Sequence, residues 1–108
     1  LNQPSRHVKR DLETLWESTD LPPGFRAVAT HGETMPGSEE VVTHILYSDG
    51  LANVSVFVAE QDKATAAGPS RVGGSNSYSA SIDGYRITAV GEVPAVTVEQ
   101  IATTMSRR

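Results

Sequence analysis

A chain of 108 residues with nine basic and thirteen acidic side chains, net charge −4, suits one folded domain and lacks the basic footprint that a nucleic-acid or anionic-membrane binder needs. Its 38% hydrophobic residues can fill one core, and no apolar run approaches the ~20 residues that span a bilayer. Cysteine is absent, which removes disulfide frameworks, thiolate catalysis and zinc–cysteine sites together.

The opening Leu1-Asn2-Gln3-Pro4 has neither a start Met nor a charged-then-apolar leader, so a piece of a longer protein is expected. Residues 1–20 are expected to be a linker or docking segment. A basic cluster (Arg6, Lys9, Arg10) precedes an acidic one (Asp11, Glu13, Glu17, Asp20), and Val8, Leu12, Leu15 and Trp16 have short-helix spacing. Alternatively Leu15 and Trp16 simply dock on the body. Leu21-Pro22-Pro23-Gly24-Phe25 reads as a stiff turn, since the prolines fix φ and the glycine permits a positive one. It feeds a first strand over about 25–30, with Phe25, Ala27 and Ala29 on one face, and then a polar loop from His31 to Glu39.

The second strand, about 40–47, is rich in β-branched residues. Asp49-Gly50 signals a hairpin into a third strand, 51–59, where Val54, Val56 and Val58 face one way and Asn53, Ser55 and Phe57 the other. Residues 61–68 read as an exposed loop. A fourth strand over about 71–82 is expected to bulge or bend at Gly73-Gly74 and to show one wet face through Ser75, Ser77, Ser79 and Ser81. Asp83-Gly84 is a second hairpin signal before a fifth strand, 85–90.

The period then lengthens to ~3.6. Thr97-Val98-Glu99-Gln100 fits a capping box with Thr97 as N-cap, and Val96 and Ile101 fit the accompanying hydrophobic staple. Val98, Ile101, Ala102 and Met105 share one face, and Arg107 and Arg108 suit a helix C-terminus. The fold class is α+β: about five antiparallel strands in a curved sheet packed on one C-terminal helix.

Motif chemistry is sparse. His31, Glu33, Glu39, Glu40 and His44 are the one group with metal-ligand chemistry, but their spacing matches no rigid site, and no metal or other cofactor is expected. Gly68-Pro69-Ser70-Arg71-Val72 lacks the second glycine of a nucleophile elbow, and Gly73-Gly74-Ser75-Asn76 opens no helix on which a phosphate could sit. Glu39 and Glu40 are adjacent in sequence and point to opposite sides of a strand. A non-enzymatic binding module is the expected class.

Three ordered segments sharpen that expectation. Leu21-Pro22-Pro23-Gly24-Phe25, Tyr47-Ser48-Asp49-Gly50-Leu51 leading into Val54-Ser55-Val56-Phe57-Val58, and Gly91-Glu92-Val93-Pro94 before the Ile101-Ala102 helix together resemble the C-terminal domain of the MucB/RseB family, over about Trp16 to Arg108. The resemblance implies a small regulatory domain over 21–108 of a periplasmic protein whose larger N-terminal domain is absent here. It implies binding to the periplasmic part of an anti-sigma factor (MucA or RseA type), which shields that partner from proteolysis and so restrains the envelope-stress sigma factor. Lipid or lipopolysaccharide would act through the absent domain. The alternative expectation is a carrier or sensor domain for a lipid or saccharide.

Phe25, Tyr47, Ser48, Asp49 and Leu51 are the expected partner-binding residues, because the resemblance concentrates on them. Tyr47 is the expected anchor, since Tyr is enriched among interface hot spots. The competing account makes the segment architecture, with Asp-Gly forming the turn and Tyr47 and Leu51 stapling its base.

Overall fold

Two tight turns set the antiparallel arrangement. Asp83 and Gly84 both take positive φ, 55° and 82°, while Ile82 pairs with Tyr85 across them, which is the primed two-residue hairpin that Asp-Gly favours. Gly73 takes φ 62° between Val72 and Ser75, which also pair. The expected bulge is therefore another hairpin, and the expected fourth strand is two strands. Adjacent glycines allow a full reversal that no Cβ opposes.

The computed structural model describes residues 16–34, 41–60 and 67–107. In chain order it has β1 (Trp16–Ser18), β2 (Arg26–Thr34), β3 (Val41–Ser48), β4 (Asn53–Glu60), β5 (Gly68–Val72), β6 (Ser75–Ile82), β7 (Tyr85–Gly91), α1 (Ala95–Thr103) and β8 (Met105–Arg107). One six-stranded sheet has the order β2-β3-β4-β7-β6-β5, and β1 and β8 form a separate two-stranded sheet. Every pairing is antiparallel. The class is α+β as expected, with one sheet strand more than the sequence suggests and a terminal strand pair besides.

The added pieces have physical reasons. His31 to Thr34, expected as loop, continue β2 because they pair with His44 to Val41; cross-strand pairing overrides the polar composition. A register shift between Ala27 and Ala29 breaks the strict alternation expected for that strand. Trp16, expected in a helix or a docking segment, docks as a strand residue: β1 pairs with β8, and the indole is buried. Leu15, Arg108 and residues 35–40 and 61–66 lie outside the described residues.

The core lies on one face of the sheet. Ile45 and Tyr47 from β3, Val54, Val56 and Val58 from β4, and Ile87 and Ala89 from β7 are buried there with Val98, Ile101, Ala102 and Met105. The helix crosses β6 and β7. The fully buried aliphatic side chains, among them Ile45, Ile87 and Ile101, each contribute roughly 1.5–3 kcal/mol. The serine face is partly wet: Ser81 is exposed, Ser79 lies 3.3 Å from the Thr88 hydroxyl, and Ser77 is buried.

The helix begins one turn earlier than the capping box implies. Pro94 is the N-cap, no side chain caps the helix, and the Thr97 amide donates to the Pro94 carbonyl at 2.9 Å. Gln100 donates instead to the Asp20 carbonyl at 2.9 Å, and Val96 is exposed, so neither the box nor the staple forms. Val98, Ile101 and Ala102 make the expected buried face. Met105 is buried too, but from β8. Thr103 and Thr104 donate their hydroxyls to the Glu99 and Gln100 carbonyls, each at 2.7 Å, as the helix ends. Arg107 serves β8 and not a helix terminus: its guanidinium lies 5.1 Å from the Tyr85 ring centroid and 6.0 Å from that of Trp16.

Candidate functional site

Ser48 and Asn53 close the β3–β4 hairpin, so the loop between them holds Asp49, Gly50, Leu51 and Ala52. Asp49 organises it. Its Oδ1 accepts from the Leu51 amide at 2.9 Å and the Ala52 amide at 2.8 Å, and its own amide donates to the Ala52 carbonyl at 3.3 Å. Those amides hold the Asp49 carboxyl below the usual carboxylate range, the Ala52 bond contributing most. Ser48 Oγ accepts from the Gly50 amide at 3.0 Å. With these amides committed to the loop, Leu51 turns outward and is 98% exposed.

The Pro-Pro turn leans on this loop. The Phe25 amide donates to the Pro22 carbonyl at 3.1 Å, and a Cβ on Gly24 would stand 3.5 Å from the Asp49 Cβ. Two depressions open beside the turn. An outer cleft of about 480 Å³ is lined by Gly24, Arg26, Val28, Ser48, Asp49 and Asn53, among others. An inner groove of about 330 Å³ is lined mainly by Trp16, Leu21, Phe25, Ala27, Ile45 and Tyr47.

The five residues expected to bind together are split by the pleat of the sheet. Ser48 and Asp49 line the outer cleft, Phe25 and Tyr47 line the inner groove, and Leu51 projects at the tip. Tyr47 is 2% exposed and is reached only through the inner groove. Its hydroxyl accepts from the Ser18 amide at 3.1 Å and points to Met105 Sδ at 3.7 Å, tying β1 and β8 to the sheet. Burial raises the pKa of that phenol against the lowering effect of the Ser18 bond.

Arg26 and Val28 also line the outer cleft, although the motif reading omits them. Arg26 pairs with Ser48 across β2–β3, a consequence of register that hydrophobic alternation alone does not reveal. His31 and His44 also meet across β2–β3, with ring centroids 5.0 Å apart, and His44 stacks on Phe57 at 4.6 Å. Among the described residues no three His, Asp or Glu side chains gather as a metal site, and no helix is long and apolar enough to cross a membrane.

A family model described as the MucB/RseB C-terminal domain matches residues 10–106. The sigma factor AlgU regulatory protein MucB of Pseudomonas aeruginosa is 34% identical over 93 residues, covering 81% of this chain and 29% of that protein. The sigma-E factor regulatory protein RseB of Salmonella typhimurium is 32% identical over 94 residues, covering 86% of this chain and 30% of that protein. A crystal structure of MucB in complex with MucA(peri) superposes with a TM-score of 0.76 at 31% identity, covering 87% of this chain and 36% of that one. A complex structure of Pseudomonas aeruginosa MucA/MucB gives a TM-score of 0.73 at 32% identity, covering 87% and 35% of the two chains. The chain thus spans about 30% of the length of these curated relatives.

Proposed function

The chain belongs to the MucB/RseB C-terminal domain family, and from that premise we propose that it is a non-enzymatic, periplasmic partner-holding domain. Its partner is the periplasmic part of a MucA- or RseA-type anti-sigma factor. Holding that segment shields it from regulated proteolysis and restrains the envelope-stress sigma factor. The observation that carries the reading is the fold shared with a MucB that is seen bound to MucA(peri).

The binding surface is the hairpin end: Ser48, Asp49 and Leu51 with Arg26 and Val28, and Phe25 on the inner side. Tyr47 supports it from below. Leu51 and the 47%-exposed Val28 offer apolar contact beside the charges of Arg26 and Asp49. A lipid or saccharide carrier needs a concave, mostly apolar site that buries most of its ligand. Here the inner face is filled by side chains and the two depressions stand at one end of the sheet.

Calorimetric titration of the 108-residue chain with a synthetic periplasmic anti-sigma segment tests the reading, with an acylated saccharide as parallel titrant. Saturable heat with the peptide alone is expected. Saturable heat with the acylated saccharide alone overturns the proposal.

A further inference from the structure

The two edges of the six-stranded sheet are β2 and β5, and they are built differently. β5 is guarded. It has five residues, and Pro69 has no amide to offer. β2 has nine residues and no proline, and its Ala27-Val28-Ala29 stretch is exposed. No described strand pairs with its outer side. An edge of that length presents a row of backbone donors and acceptors, and an extended polypeptide is the ligand whose own groups match the row.

The depressions beside β2 give such a ligand a pattern. Ala27 and Thr30 pair with Tyr47 and Ile45, and all four line the inner groove. Arg26 pairs with Ser48, and both line the outer cleft, together with Val28 at the register shift. The two hollows therefore open on opposite faces of one edge. Side chains of an added strand alternate between those faces. Every second residue meets the inner groove, where Leu21, Phe25 and Trp16 stand with Glu17 and Arg26 at its rim, and the residues between meet Val28, Ser48 and Asp49.

We infer that β2 is the edge on which the partner adds as an extended strand, with apolar side chains entering the inner groove and polar or charged ones the outer cleft. This rests on the reading of the chain as a domain that holds a partner polypeptide. It specifies the bound conformation, the pairing strand and the period-two sequence preference of the ligand.

Amide hydrogen exchange of the 108-residue chain, measured with and without a saturating synthetic periplasmic anti-sigma segment, tests it. Alternate amides of β2 are expected to slow by about tenfold or more, with β5 amides unchanged. N-methylation of alternate backbone amides in the peptide is expected to weaken binding about tenfold at one parity and little at the other, since each lost hydrogen bond is worth about 1 kcal/mol. Saturable binding that leaves the β2 amides unchanged, as a helix lying in the groove would, overturns the inference and leaves the proposed function standing. Absence of any binding overturns both. Slowing of β2 that depends on protein concentration without peptide assigns the edge to a second copy of the chain and also overturns the inference.

Discussion

Under α1 the inner face of the sheet meets Val98, Ile101 and Ala102, none of them exposed, and a filled core results. At the hairpin end no helix among the described residues covers β2 and β3; side-chain-to-backbone bonds from Asp49 and Ser48 fix the loop, and a groove and a cleft stay open. Burial orders the first region and local hydrogen bonding orders the second. A surface held by its own backbone can expose an apolar residue such as Leu51 without unfolding, so the proposed binding end does not draw on the buried core for its order.

Ile101→Ala would break this comparison most directly. Ile101 is fully buried between helix and sheet, and its truncation is expected to cost about 2–5 kcal/mol in denaturant unfolding. The variant that remains folded keeps its partner affinity. A loss of affinity in the folded fraction means the helix end takes part in binding.

Tyr47→Phe probes the boundary between the two regions. The change keeps the ring and leaves the Ser18 amide without its 3.1 Å acceptor. A loss of about 1–3 kcal/mol is expected, with faster exchange of the Ser18 amide as β1 loosens. Unchanged exchange would show that the hydroxyl does not hold β1.

Leu51→Asp tests the opposite limit. A 98%-exposed side chain leaves stability within about 0.5 kcal/mol. Affinity for a periplasmic anti-sigma segment is expected to fall by about tenfold, which is about 1.4 kcal/mol. Full affinity in this variant removes the hairpin tip from the interface.

Asp49 contributes a smaller, pH-dependent share. Its folded pKa is lowered, so its contribution is complete above the unfolded value of about 3.9 and is lost as pH falls through the lower folded value. Asp49→Asn is expected to flatten that part of the acid limb of stability against pH. An unchanged limb would assign acid sensitivity to other carboxylates.

The central strands β3, β4 and β7 and both Asp-Gly turns are legible in the sequence because alternation and turn chemistry are local: Val54, Val56 and Val58 are buried on the expected face. The split of the expected fourth strand is not, since Gly73-Gly74 satisfies a bulge and a hairpin equally and the pairing of Val72 with Ser75 decides. The same holds at the site. Tyr47 stands two residues before the exposed Asp49, but the pleat turns it inward, and its partners Ser18 and Met105 are distant along the chain. Arg26 becomes a site residue only through its register with Ser48.

The smallest expected effect bears on the helix itself. As an N-cap, Thr97 would stabilise the helix by about 1 kcal/mol, and its replacement by Ala would remove that. In the structure Thr97 lies inside a helix that starts at Ala95, with Pro94 as N-cap and no capping side chain. With the helix starting at Ala95, the Glu99 and Gln100 amides that a Thr97 cap would serve lie inside the helix, so the hydroxyl has no terminal amide to satisfy. Alanine also has the higher helix propensity, which offsets the packing that a half-buried threonine side chain supplies. Thr97→Ala is therefore expected to change unfolding free energy by no more than about 0.5 kcal/mol. A measured loss of about 1 kcal/mol or more would restore the cap at Thr97 and shorten the helix, and with it the cover over β6 and β7 that distinguishes this end of the sheet from the open one.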